Sequence, residues 1–287
     1  MENSKLISIL VTGSNKGIGY GIVKSLLEYQ NKTKNWTYKI ILTSRDINRG
    51  QEVISEFKNT FGEINEYLVY NQLDVTNEAS INETINFIKK EFGNIDILVN
   101  NAGIAFKGQA FDTNVFDTTF STNFYGTVNL TEKFLENNLI QERGKIIFIG
   151  SMLGNMKKLG KNLLKEFQNK DLGNEKLFDL ANRFRTSIEN ETTNEDGWGK
   201  NCYAVSKMCI NKYASLLAYR KSVYEKNIQV YSCCPGWVRT DMGGPRAFKS
   251  LEEGVICPIY LIQLENKINK EFQGKFFEDC KVSDIGI

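Results

Sequence analysis

Short β-branched runs alternate with longer stretches of helical periodicity along most of the 287-residue chain. That alternation limits the fold more than any other feature. Runs at 6–12, 39–43, 66–73, 96–100, 145–149 and 228–233 read as strands, several of them apolar on both faces as buried parallel strands are. Between them, 18–29, 48–61, 78–92 and 116–137 carry apolar residues at helical spacing. Strand–helix–strand succession calls for right-handed crossovers, which lay helices on both faces of one sheet. The expected class is α/β, a doubly wound parallel sheet of the Rossmann type. No repeat or disordered linker divides residues 1–287, so a single domain is expected. From about 152 to 199 the rhythm breaks, with helix-like pieces at 163–167 and 177–184 and a polar stretch at 189–197. This segment reads as a helical excursion from the sheet's carboxyl edge, too polar to own a core.

Composition then narrows the chemistry. The sequence has no histidine, which excludes Ser-His-Asp and Cys-His triads and every histidine-based metal site. No metal is expected. With 36 basic and 34 acidic residues, no global field favours nucleic acid or a membrane surface. Cys202, Cys209, Cys233, Cys234, Cys257 and Cys280 lie in the last third of the chain without a Cys-x-x-Cys pair. A bond between the adjacent Cys233 and Cys234 would be strained, so reduced, buried thiols in a reducing compartment are expected. The opening Met1-Glu2-Asn3-Ser4 and the short apolar run after it do not make a signal peptide, and no stretch approaches the roughly 20 apolar residues of a membrane span. A cytoplasmic location follows as the expectation.

Directly after the first strand run stands Thr12-Gly13-Ser14-Asn15-Lys16-Gly17-Ile18-Gly19, opening a helix. Gly13 permits the sharp turn, Gly17 lets backbone approach a pyrophosphate, and Gly19 allows close helix packing; the helix N-terminus attracts the negative charge. The motif points to a dinucleotide. The second strand run ends in Ser44-Arg45-Asp46, and Ser44 stands where an NAD site wants a carboxylate for the ribose hydroxyls. Arg45 offers a permanently charged fork for a 2′-phosphate, and Lys16 can reach the same group. The pair argues for NADP(H), against the alternatives that Arg45 only solvates a strand end or that Asp46 turns inward as an NAD-type acid.

Proton transfer needs a group other than histidine. Tyr203 and Lys207, four residues apart, share a helical face, and a nearby ammonium stabilises a phenolate. Ser151 falls just past the fifth strand run, at the carboxyl edge where ligands of open α/β sheets bind. Asn123 lies mid-helix, an unfavourable place that often marks a bend or a bound water. Asn100-Asn101-Ala102-Gly103 ends the fourth strand run, and Pro235-Gly236-Trp237-Val238-Arg239-Thr240-Asp241-Met242 follows the sixth.

Taken in order, these motifs resemble the short-chain dehydrogenase/reductase family over nearly the full length. Leu98–107 in the form Leu-Val-Asn-Asn-Ala-Gly-Ile-Ala-Phe-Lys, the 233–242 segment, and Lys249-Ser250-Leu251-Glu252-Glu253-Gly254 make it most similar to the cytosolic monomeric NADPH-dependent carbonyl reductases. The resemblance implies that Tyr203 protonates a carbonyl oxygen and that Lys207 lowers its pKa and holds the nicotinamide ribose. Ser151 would position the carbonyl, and Asn123 would hold a water that relays protons through Lys207. It also implies cofactor contacts from Asn15, Ile18, Asp74, Val75, Asn101, Ala102, Gly103, Pro235, Gly236, Val238 and Thr240, and a substrate pocket walled by Phe106, Met152 and Trp237 around Ser151 and Tyr203. The 51 residues between Ser151 and Tyr203 far exceed the connection of ordinary members. In the carbonyl reductases this addition covers the face used elsewhere for oligomerisation, which implies a monomer. Gly150, where the family often has a second serine, is a departure. The function so implied is reduction of ketones, aldehydes or quinones. A dedicated steroid- or prostaglandin-type alcohol dehydrogenase is the alternative, and a non-catalytic NADP(H)-binding redox sensor a third reading.

Overall fold

The computed structural model describes residues 6–33, 37–108, 110–169, 172–265 and 269–287; the opening residues 1–4 read above lie outside them. Six strands stand where the β-branched runs predict them: β1 (Ile7–Val11), β2 (Tyr38–Ser44), β3 (Leu68–Gln72), β4 (Ile95–Asn100), β5 (Ile140–Ile149) and β6 (Gln229–Cys234). Two short ones, β7 (Phe276–Glu278) and β8 (Lys281–Val282), were not foreseen. The sheet runs β3-β2-β1-β4-β5-β6-β7-β8, parallel except where β8 returns antiparallel on β7. The chain moves outward from β1 through β2 and β3, then crosses back to β4. The switch point therefore falls between β1 and β4, where crossovers diverge and leave a crevice.

The helices are α1 (Gly17–Thr33), α2 (Ile47–Phe61), α3 (Glu78–Glu91), α4 (Thr113–Phe120), α5 (Thr127–Glu136), α6 (Lys161–Gln168), α7 (Asn174–Glu189), α8 (Cys202–Ala218), α9 (Lys221–Tyr224) and α10 (Leu251–Gln263). Side chains alternate faces along each strand. Ile9, Val11, Ile97, Val99 and Ile147 pack with Ile22, Leu26, Phe57 and Leu261 of α1, α2 and α10. Leu10, Leu98, Ile146 and Phe148 pack with Ile85, Phe124 and Tyr213 on the other face. Both faces are thus dry, as the two-sided apolar runs require.

The single helix expected over 116–137 is α4 and α5 joined by a π-helical segment, Ser121–Gly126. Asn123 sits inside it, so the irregularity in the helix falls where its residue type marked an unfavourable place. The 152–199 segment folds as two short 3-10 turns followed by α6 and α7. Leu163, Phe167, Leu177, Phe184 and Trp198 join the core of the sheet's second face. Phe184 lies 5.8 Å from the Phe116 ring and 5.3 Å from that of Trp198. The segment has no core of its own because its apolar residues complete the main one.

Candidate active site

At the switch point, β1 ends in a turn whose shape rests on short polar side chains as well as glycine. Gly13 and Gly17 have φ of +61° and +57°, a region costly for residues with a Cβ. A Cβ on Gly13 would stand 3.1 Å from the Ala102 backbone, and one on Gly19 2.5 Å from the Asn101 amide. Gly19 is thus needed for the contact between α1 and the loop after β4 more than for packing on a strand. Thr12 ties the two loops together: its hydroxyl accepts from the N–H of Asn101 at 2.9 Å and of Ala102 at 2.8 Å. The Asn101 amide donates back to the Thr12 carbonyl at 2.8 Å. Buried Ser14 accepts from the Thr43 N–H at 2.9 Å, which locks the turn to β2. Asn15 and Ile18 are half-buried in the same turn. Among the described residues, a Cβ position on Gly17 meets Thr240 alone, its methyl at 3.7 Å and its Cβ at 3.8 Å, leaving open space above the turn that a phosphate can fill.

The end of β2 separates the cofactor alternatives. Ser44 is buried, and its hydroxyl donates to the Asp46 carbonyl at 2.5 Å and meets the Tyr70 hydroxyl at 3.2 Å. Asp46 does not turn inward: its carboxylate caps α2, accepting from the Arg49 N–H at 3.1 Å. Such caps are strongly preferred geometry for aspartate. Arg45 is left exposed at the mouth. Lys16 is also exposed and forms an ion pair with Asp241 at 3.1 Å; a surface pair of this kind is weak and can yield to a phosphate. Exposed Arg45 beside buried Ser44, with the Asp46 carboxylate engaged in the α2 cap, fits a 2′-phosphorylated ribose. Asp74 accepts from the Thr76 N–H and hydroxyl at 2.9 and 2.7 Å, and the Val75 carbonyl lies 2.4 Å from a Cβ position on Gly126. Only glycine allows the π segment to pass there.

The proton-transfer groups meet at the carboxyl ends of β4 and β5. Asn201 caps α8 by accepting the Ala204 N–H at 2.8 Å, which starts the helix just before half-buried Tyr203. Ser151 eases the ionisation of the Tyr203 phenol. Ser151 in turn accepts the Leu153 N–H at 3.1 Å. Lys207, one turn further on, is buried; its ammonium donates to the Ile149 carbonyl at 2.7 Å and stands 5.7 Å from the centre of the Tyr203 ring. Burial pushes the Tyr203 phenol up to about 12, against the smaller opposing effect of Ser151. Burial pushes the Lys207 ammonium down to about 8. The expectation that Lys207 holds Tyr203 below its ordinary value is therefore not met in this state: burial raises the phenol and lowers the ammonium.

Asn123 closes the back of the site. Its amide oxygen accepts the Ile104 N–H at 2.8 Å, and its nitrogen donates to the Ile104 carbonyl at 2.9 Å and Ser206 at 3.1 Å. Gly103 lies between Asn123 and Lys207, 3.3 and 3.7 Å from their polar atoms by its Cβ position. The 235–249 loop crosses the front. Gly236 has φ +86°, and Lys249 lies across it, 2.7 Å from a Cβ position. Trp237 donates to the Gly243 carbonyl at 2.8 Å, Val238 is buried against Gly254, and Thr240 faces Gly17. Phe106, Leu153, Trp237, Met242 and Phe248 expose apolar surface on the loops after β4, β5 and β6. A groove of about 1210 Å³ lies elsewhere, between α5, α7 and α8, and none of these site residues lines it.

The model of the short chain dehydrogenase family matches residues 8–162. The chain belongs to the short-chain dehydrogenase family. It is 34% identical to carbonyl reductase (NADPH) 1 of Bos taurus, covering 98% of this chain and 99% of that one. It is 35% identical to the same-named protein of Mus musculus, with 98% and 99% covered. Among solved structures, salutaridine reductase from Papaver somniferum aligns with TM-score 0.81 at 26% identity, over 96% of this chain and 100% of that one. The NADPH-bound carbonyl reductase from chicken fatty liver, at TM-score 0.68, 23% identity and coverage of 95% and 96%, shares the fold.

Several members of this dehydrogenase site went unread in the sequence. Thr12, Ser14 and Thr43 fix the phosphate turn, and Ser206 orients Asn123. Ser206 stands inside the Tyr203–Lys207 motif, so a signal was present. Asn211 fills the space a Cβ on Gly150 would need, 2.2 Å from that position, and its nitrogen lies 3.4 Å from the Ser151 carbonyl. Pairings so distant in sequence leave no periodic trace. The Cys234 sulfur accepts from the Met152 N–H at 3.4 Å and the Gly236 N–H at 3.2 Å, joining the substrate-side and cofactor-side loops.

Proposed function

We propose that this dehydrogenase reduces ketones, aldehydes or quinones to alcohols with NADPH, acting as a cytoplasmic monomer. The observation that carries the reading is the placement of Tyr203 beside buried Lys207, whose ammonium donates to the Ile149 carbonyl at the end of β5 and stands 5.7 Å from the Tyr203 ring, with Arg45 exposed at the end of β2. The names of the two mammalian relatives support the same chemistry. When bound, the nicotinamide supplies hydride to the carbonyl carbon. Ser151 orients the carbonyl oxygen, and Tyr203, protonated throughout the neutral range, gives it a proton. The Lys207 charge then stabilises the phenolate left behind. Asn123 holds the Ile104 backbone and Ser206 in place beneath this pair and anchors the water through which Lys207 exchanges protons. Gly13, Gly17, Gly19 and the 101–103 loop receive the pyrophosphate side, with Asp74 and Val75 at the adenine and Thr240 at the carboxamide. Phe106, Met152 and Trp237 bound the substrate.

Loss of NADPH absorbance with a panel of quinones and aromatic ketones tests the proposal. Turnover with several is expected, and turnover with none overturns it. Tyr203→Phe should abolish turnover while leaving NADPH binding intact; retained activity removes Tyr203 from its role. Sedimentation equilibrium at micromolar concentration should give the mass of one chain, because α7 lies against α4 and α8.

A further inference from the structure

Lysine is rarely buried without a partner, because an ammonium taken out of water needs an acceptor or a counter-charge. Buried Lys145 and Lys207 each donate to a backbone carbonyl, at 2.8 and 2.7 Å. Lys212, in the second half of α8, is 5% exposed, yet among the described residues no hydrogen bond or ion pair reaches it. It lines the groove of about 1210 Å³ between α5, α7 and α8. Ser215, three residues on and so on the same helical face, lines it too. The other cation there, Arg220, is already neutralised: its guanidinium donates twice to the Glu132 carboxylate, at 2.5 and 2.7 Å. Tyr213 and Asn174 donate to the same carboxylate at 2.7 and 3.1 Å, so Glu132 has no capacity left for Lys212. Ile287 also lines the groove but forms no ion pair with Lys212. Around these polar groups the lining is apolar. Val128 is buried and Leu216 half-buried, and the Tyr125 and Phe178 rings stack at 5.6 Å with 13° between their planes.

We propose that this groove binds a monocarboxylate of the fatty-acid type, its carboxylate on Lys212 and Ser215 and its acyl chain along Val128, Leu216, Tyr125 and Phe178, at a site separate from the reductase chemistry. One unpaired ammonium matches one negative charge. A phosphate monoester brings nearly two, for which Arg220 is no longer available. A neutral alcohol of the same length buries the same apolar area but leaves the ammonium without a counter-charge. The aliphatic and flat aromatic surfaces hold a chain by area and not by directed bonds, and the volume suffices for a ligand of that size. A second copy of this chain is the poorer occupant, since a twofold contact sets the same surface, and so the same cation, against itself.

Calorimetric titration of the full chain with dodecanoate, in excess NADPH, tests this without any need for turnover. One binding site is expected, with dodecanol at least tenfold weaker. Lys212→Gln should weaken dodecanoate by about tenfold or more, the worth of one charge-assisted bond, and leave dodecanol nearly unchanged. A dodecanoate carrying a diazirine at its far end should label residues within 125–132, 177–183 or 213–220, and Leu216→Trp, which fills the groove, should remove that label. Equal affinity for dodecanoate and dodecanol, unchanged affinity in Lys212→Gln, or labelling confined to the loops holding Phe106 and Trp237 overturns the proposal.

Discussion

Tyr203 and Lys207 divide the protons of the site between them. With the phenol pushed to about 12 and the ammonium to about 8, the pair enters the cycle as phenol and ammonium at neutral pH. A reduction needs that state, since the phenol must give its proton and the ammonium must then face a phenolate. Lys207 loses its charge as pH rises through about 8. The kcat/KM for NADPH should therefore be level on the acid side and fall through that value; a profile flat across it removes Lys207 from the electrostatic role. Arg45 is proposed to act at the other end of the cofactor. Arg45→Ala should raise KM for NADPH by about tenfold or more, the worth of one charge-assisted bond, and leave NADH nearly unchanged. Equal losses for both cofactors remove the 2′-phosphate assignment. Asp46 shows why the sequence left this point open: one rotation turns the same carboxylate from ribose ligand to helix cap, and the first turn of α2 decides for the cap.

Elements approach one another here through positions where a side chain is missing. α8 reaches the end of β5 only because Gly150 and Gly154 face it, with Cβ positions 2.2 Å from the Asn211 oxygen and 2.6 Å from the Lys207 backbone. The departure at Gly150 thus has a local cause, since Asn211 occupies the room another serine would take. Gly150→Ser should displace this buried amide and destabilise the protein by about 2 kcal/mol through overpacking, lowering Tm by roughly 6 °C. An unchanged Tm would show that Asn211 moves aside freely. Between α4 and α5, the π segment turns Asn123 inward to Ile104. A helical pattern over 116–137 was legible, whereas the extra residue in its turn was legible only as an asparagine in an unfavourable place.

Over the whole molecule, the sheet's second face is finished by the 152–199 segment. Phe184 is fully buried among Phe116, Phe120 and Trp198, so the long connection is part of the core. Phe184→Ala should cost about 3–5 kcal/mol, the usual loss for a buried phenylalanine, and calorimetry should show one transition at lower temperature. Little change in Tm would mean that the segment packs only loosely on α4 and α8. Glu132 strengthens the same region. Burial alone would raise its carboxyl, yet Arg220, Tyr213 and Asn174 together hold it below the ordinary value, linking α5, α7 and α8.

The sequence by itself determined the alternating α/β class, the six strands β1–β6, the phosphate turn and the Tyr203–Lys207 pair. All of these are written in local periods or short spacings, where neighbouring residues carry the information. Tertiary structure decided the rest. β7 and β8 are too short to show a period and exist because β6 offers an open edge. Asp46 became a cap, Lys16 found Asp241 far along the chain, and burial set the Tyr203 and Lys207 proton affinities opposite to what their spacing implied. Each of these depends on which surfaces lose water together, and residue order alone does not carry that.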